Sequence, residues 1–301
     1  MSNLYLVGIV EMDAREVNPV FEVRDLDEDE KLMMTQKGVW KEACPIPLNR
    51  LKLVVFSYWH LKKDNAGWCF HDEQKHDGEI VVLDAVAGHV RDIFKELYGI
   101  KFPIHKARPI ENYDGDDEAS MTDNNSSCFN DREIAGGGLP SLHSYGLAID
   151  INPIQNPYIS FLENKDIQRS GNTQILPLSG RDYMNRTNLR PGMIENAKEN
   201  VVEIFKNHGF PVWGGEWNTP IDWQHFQTHR STAQLLGAMK AEDASVLFEM
   251  YVASPNLVNS IDINNNEFVA LYHSNPEKFM KVLDENFLKM TAADAKVLMG
   301  D

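Results

Sequence analysis

Ser-Leu-His-Ser-Tyr-Gly-Leu-Ala-Ile-Asp at residues 141–150 and Asp-Trp-Gln-His-Phe at residues 222–226 place two imidazoles and two carboxylates in short, patterned segments. A catalytic zinc takes three protein ligands from His, Cys, Asp or Glu and keeps a fourth position open for water. Two histidines and one carboxylate meet that count, and one carboxylate remains to act as a base. Gly146 turns the chain after His143, and residues 147–152 (LAIDIN) alternate like a strand, so a loop that folds back brings His143 and Asp150 to one point. Ala148 is small enough for that strand to pack closely. Asp222 and His225 are three residues apart and would face opposite sides of a regular strand, so a bulge or turn is expected between them if they share a site. Pro220 marks edge or irregular backbone just before them. A His-x6-Asp pair alone is more often an ordinary hydrogen-bonded pair; joined to the second segment, the pattern favours a metal.

Upstream, residues 51–59 (LKLVVFSYW) and 79–83 (EIVVL) are rich in β-branched and aromatic residues and read as two strands with a long polar connection. Val86, Val90, Ile93, Phe94 and Leu97 recur at helical spacing, which predicts a helix over 84–98 with Asp84 at its start and Gly99 as its stop. Residues 102–104 read as extended and the polar stretch 111–130 as loop, long enough to carry function or mobility. A second helix is expected around 193–207, stopped by His208 and Gly209, and helical texture returns near 231–253, 265–273 and 276–289. Residues 4–10 read as a strand and the acidic run at 25–30 as a solvated face or linker. There is no internal repeat.

The chain has 301 residues, 45 Asp and Glu against 29 Lys and Arg, and a formal charge of −16. Such a field repels polyanions, so nucleic acid and anionic membrane surfaces are not expected partners. No apolar run approaches the roughly 20 residues of a membrane span, and the first 18 residues lack a basic n-region and a small-residue cleavage site. Cys44, Cys69 and Cys128 form no C-x-x-C pair and read as ordinary buried thiols. His225 and His229 share a helical spacing, but Phe226 stands where an H-E-x-x-H peptidase needs its glutamate, so His229 reads as a supporting or surface residue. His60, His71 and His76 repeat no ligand spacing and read as solvated loop. Residues 262–266 resemble a calcium loop only faintly, since Glu267 replaces the required glycine.

The combination S-x-H-x-x-G-x-A-x-D, W-G-G-x-W at 213–217 and D-x-x-H at 222–225 resembles the zinc D-Ala-D-Ala carboxypeptidase and L-alanyl-D-glutamate endopeptidase family, cell-wall metallopeptidases that include phage endolysins. The resemblance covers about residues 120–230, and 124–132 (NNSSCFNDR) is similar to the family's upstream segment. It implies that His143, Asp150 and His225 hold Zn2+, that Asp222 is the catalytic base, and that Arg132 steadies the substrate carbonyl. Many members carry Glu at the base position; Asp222 is one methylene shorter, which fits the endopeptidase-like members better. Ser127 and Ser141 are candidates for holding the peptide or the backbone around the metal, and Trp213 for lining or supporting the substrate cleft.

The expected fold is α+β, an antiparallel sheet with packed helices and zinc at one sheet edge, the DD-peptidase or hedgehog-like fold that the resemblance implies. Residues 1–40 are expected as an N-terminal extension, 41–230 as the zinc peptidase domain and 231–301 as a helical C-terminal region. The expected activity is hydrolysis of an amide bond in the peptidoglycan stem peptide, of the L-alanyl-D-glutamate or the D-Ala-D-Ala type. The rival is a non-catalytic wall- or partner-binding module with a structural zinc, for which Asp222 would have no use. Since the substrate lies in the cell wall or periplasm and no export signal is visible, export by another route or supply as a mature form is expected, with 231–301 as a candidate delivery segment.

Overall fold

β-Branched and aromatic runs make the longest elements among the described residues, two strands that pair from Leu51↔Leu83 out to Asp64↔Gly67 with one irregularity between Trp59 and His60. The computed structural model describes residues 18–64, 67–134, 137–161, 173–195, 201–254, 265–286, 290 and 292–300. In chain order the elements are β1 (Phe21–Asp25), α1 (Glu28–Gln36), β2 (Leu51–Asp64), β3 (Gly67–Leu83), α2 (Ala87–Gly99), β4 (Pro103–Ile104), β5 (Lys106–Ala107), α3 (Asp117–Thr122) and β6 (Asn125–Ser126). They continue with β7 (Ala148–Asp150), β8 (Tyr158–Phe161), β9 (Thr173–Leu176), α4 (Val201–Asn207), β10 (Val212–Trp213), β11 (Ile221–Asp222) and β12 (His225–Gln227). The C-terminal helices are α5 (Arg230–Ala238), α6 (Ala241–Ala253), α7 (Asn265–Ser274), α8 (Pro276–Asn286) and α9 (Ala292–Met299).

β1, β2 and β3 form an antiparallel sheet to which β4 adds in parallel, and two small antiparallel sheets, β10-β12-β7 and β11-β8-β9, stand beside it. Helices and mostly antiparallel sheets thus give the α+β class. The apolar stripe of α2 lies on β2, with Phe94 stacked on Phe56 at 3.6 Å between ring centroids and Tyr98 stacked on Trp59 at 5.1 Å. One buried cluster runs from Leu26, Met34 and Val39 through Val54, Ile149 and Phe226 to Phe248, Phe279 and Met299.

Several local expectations change. The polar connection after residue 59 is a continuation of both strands, kept by its backbone ladder, with Leu61 buried and Trp68 packed on Ile154, Tyr183 and Met193. The acidic run at 25–30 ends β1 and starts α1: Asp27 caps the helix in a reciprocal box with Glu30, and acids in the first turn suit the positive end of the helix dipole. The polar stretch 111–130 contains α3 and β6, and its asparagines are buried rather than solvated. Asn124 Nδ2 donates to Gln155 Oε1 at 2.9 Å, and Asn125 Nδ2 donates to the Arg108 carbonyl at 2.9 Å. Residues 193–195 are not helical; the described part of that helix is α4. Of the three thiols only Cys128 is fully buried, and burial pushes Cys44 up to about 12. Expectations on residues 4–10 and 262–264 lie outside the described residues.

Glu111, in the turn before α3, is buried, and burial pushes its carboxyl up to about 7 although its own backbone N–H pulls the other way. Its folded value stands above the ordinary 4.5, so its contribution is fully present below that pH and is lost as pH rises towards 7. Glu111→Gln is therefore expected to stabilise the protein by up to about 3 kcal/mol at about pH 8 and to change little at about pH 4, read from urea unfolding. An equal effect at both pH values would contradict this.

Candidate metal centre and active site

Three short elements converge. Residues 142–145 form a 3₁₀ turn whose start is held by Ser141, with its hydroxyl accepting from the His143 backbone N–H at 3.3 Å. Gly146 then reverses the chain at φ 66; a Cβ there would stand 2.6 Å from the Leu83 backbone nitrogen, so only glycine allows this turn against β3. β7 leaves that turn and pairs with β12 so that Asp150 lies directly opposite His225.

His143 and His225 flank one buried carboxylate. His143 Nε2 lies 3.3 Å from Asp150 Oδ2, and His225 Nδ1 lies 2.9 Å from Asp150 Oδ1. One donor atom from each of the three lies within 4.8 Å of the others. The remaining ring nitrogens are tied back: His143 Nδ1 lies 2.6 Å from the Cys128 carbonyl and His225 Nε2 lies 2.8 Å from Gln227 Oε1. Carbonyl oxygens only accept, so both contacts fix a proton there and leave His143 Nε2 and His225 Nδ1 as the lone pairs aimed at the centre. Burial opposes ionisation of Asp150, yet the imidazoles of His143 and His225 hold its carboxyl well below the usual range. In return, although burial lowers it, Asp150 lifts His225 to about 9. The donor set fits a zinc ion by ligand type and by outer support, and metal entry would displace protons from it.

The Asp222–His225 spacing is accommodated by a turn at residues 223 and 224, which places the two side chains on strands of different sheets. Asp222 Oδ1 is buried without a hydrogen-bond partner among the described residues, and burial pushes the carboxyl up to about 7 against the opposing pull of His225. The close packing of Gly214 on the Asp222 backbone explains the glycine at that position, since a Cβ would stand 2.8 Å from the Asp222 Cβ.

Residues 135–228 match the family model for D-alanyl-D-alanine carboxypeptidase. This segment, less than half of the chain, is similar to that family. No curated protein and no solved structure matches the chain. The match contains His143, Asp150, Asp222 and His225, whereas Ser127 and Arg132 precede it.

The remaining sequence candidates sit around the cluster in different ways. Ser127 is buried and exchanges both backbone hydrogen bonds with Asp150, fixing the edge of β7. Ser141 is engaged with the turn that carries His143. Arg132 pairs with Asp117 at 3.0 Å while its Nε is buried without a hydrogen-bond partner among the described residues. Trp213 is packed inside, donating from Nε1 to the Trp223 carbonyl at 2.9 Å and stacking towards Phe226. The aromatic ring beside the His143–Asp150–His225 cluster is instead Trp217, 5.5 Å from His225. His229 bonds to the Tyr251 hydroxyl at 2.6 Å, away from any helical pairing with His225.

Gln227 is a site residue that no sequence pattern marks. Its place two residues beyond His225 on β12 was legible, but its contact was not. Gln227→Ala is expected to weaken zinc binding about 10- to 100-fold with little loss of fold stability, measured by competition with a chelator; unchanged affinity would remove Gln227 from the metal centre.

Proposed function

We propose that the protein hydrolyses an amide bond in the peptidoglycan stem peptide at the bacterial cell wall, preferentially as an L-alanyl-D-glutamate endopeptidase. The observation that carries this reading is the buried, unpartnered Asp222 carboxylate oxygen beside a complete His143–Asp150–His225 donor set inside the matched segment. A D-Ala-D-Ala carboxypeptidase is the second reading, favoured by the description of the matched family. The DD-peptidase fold and a catalytic unit at 41–230 belong to the same proposal.

His143 Nε2, an Asp150 carboxylate oxygen and His225 Nδ1 would hold the zinc. When bound, zinc supplies Lewis acidity towards the scissile carbonyl and the attacking water. Asp222 takes the proton of that water as it attacks and returns it to the leaving amine, which requires a carboxylate that is ionised before attack and neutral after it. A dication beside it favours the ionised form, offsetting the burial that otherwise raises it. Arg132, held by Asp117, offers its guanidinium to the oxyanion as charge develops. Trp217 places an apolar ring next to His225.

Digestion of purified muropeptides followed by mass spectrometry separates the readings. Free tetrapeptide beginning at D-Glu identifies the endopeptidase; loss of one D-Ala identifies the carboxypeptidase. Intact muropeptides with zinc-loaded protein would contradict both and favour a binding module.

A further inference from the structure

Away from the peptidase centre, α2, the residue following α4, and α6 meet at a chain of four side chains that the hydrolysis does not use. Glu249 Oε1 lies 3.0 Å from His89 Nε2, His89 Nδ1 lies 3.2 Å from His208 Nδ1, and His208 Nε2 lies 2.9 Å from Glu96 Oε1. Ionised carboxylates only accept, so each Nε2 carries a proton, and a neutral imidazole has no second proton to place on Nδ1. Two bare lone pairs then face each other across 3.2 Å. The arrangement is complete only when a positive charge lies between them.

We propose that His89 and His208 bind a divalent transition-metal ion of the zinc type through their Nδ1 atoms, as a second metal site distinct from the peptidase centre. Imidazole nitrogens suit zinc, nickel and copper. Two nitrogens 3.2 Å apart, each about 2.05 Å from one ion, subtend about 100° at it, between the octahedral and tetrahedral angles. Each ligand imidazole donates its other N–H to a carboxylate, the arrangement that orients metal-binding histidines and raises their basicity. The His89 and His208 side chains are 19% and 15% exposed, so water has access to complete the coordination.

The position gives the ion a structural consequence. His89 and Glu96 belong to α2, His208 follows α4, and Glu249 belongs to α6, whose Phe248 packs edge-on against the His89 ring at 5.3 Å. Bound metal would clamp a C-terminal helix to the two helices behind the peptidase sheets.

The test uses the full chain, untagged and stripped of metal with a chelator, titrated with zinc alone by calorimetry and checked by elemental analysis. Wild type is expected to take two equivalents, His89→Asn and His208→Asn one each with muropeptide hydrolysis retained, and His143→Ala one with hydrolysis lost. Glu96→Gln is expected to weaken the second site about 10- to 100-fold. A single equivalent in wild type would overturn the proposal and leave a shared proton as the charge between the rings. Two equivalents surviving in both histidine variants would overturn it too. Because the wild-type stoichiometry is itself decisive, a variant that fails to fold does not shelter the proposal. The readout is also independent of whether a stem peptide is the substrate.

Discussion

Asp222→Asn is expected to lower kcat by about 10²- to 10⁴-fold while leaving bound zinc, KM and the folding midpoint close to wild type. The substitution is isosteric, so the packing of Gly214 on this strand survives, and the side chain belongs to neither the donor set nor a described hydrogen bond through Oδ1. What it removes is the capacity to take a proton. An amide in that place cannot accept from water and then donate to the departing amine, so the loss falls on the chemical step. Steady-state kinetics with a defined muropeptide, together with metal content, checks this. A variant that keeps its rate would strip Asp222 of the base role, and one that loses metal would make it a structural support of the centre.

The largest expected loss of stability comes from Arg50→Met, about 3–5 kcal/mol in urea unfolding. Arg50 lies just before β2 and forms a two-pronged ion pair with Asp84, Nε to Oδ2 at 2.5 Å and Nη2 to Oδ1 at 2.8 Å, with both side chains about nine-tenths buried. Its Nη1 also donates to the Met239 carbonyl at 2.5 Å, just past the end of α5, where helix carbonyls lack partners. Removing the guanidinium leaves a buried carboxylate and an orphan carbonyl together. Pairing the change with Asp84→Leu should recover much of the loss, because the cost lies in the uncompensated charge. If the double variant were no better than the single one, helix capping rather than the ion pair would be the main contribution. These bonds also mean that α5 is fastened into the peptidase core, so removal of residues 231–301 is expected to unfold more than a tail.

The candidate metal centre was the most legible part of the sequence because its side chains need a narrow chemistry at fixed spacing. His143, Gly146 and Asp150 compress a ligand, a left-handed turn and a strand into eight positions, and each residue type has a single physical reason to stand there. The helix α2 was equally open to reading, since its apolar stripe must face β2. Patterns failed where composition and environment part company. Lys62, Lys63 and Trp68 extend a hairpin held by its backbone ladder and by Trp68 packing on Ile154, Tyr183 and Met193, a contact that alternation does not reveal, while Asn124 and Asn125 look like loop residues yet are buried in a web of amide hydrogen bonds. The residues that orient the histidine rings were also hidden. Gln227, and the facing pair His89 and His208 separated by 119 positions, become meaningful only when tertiary packing sets their ring nitrogens.

The first measurement to make is zinc content alongside muropeptide digestion, comparing wild type with His143→Ala by elemental analysis and fragment mass spectrometry. The expected result is zinc and cleavage in wild type, with one equivalent of zinc and all cleavage lost in the variant and the bond named by the fragment masses. Cleavage that persists without the His143 ligand would contradict the account, and so would zinc-loaded wild type that cuts no stem peptide.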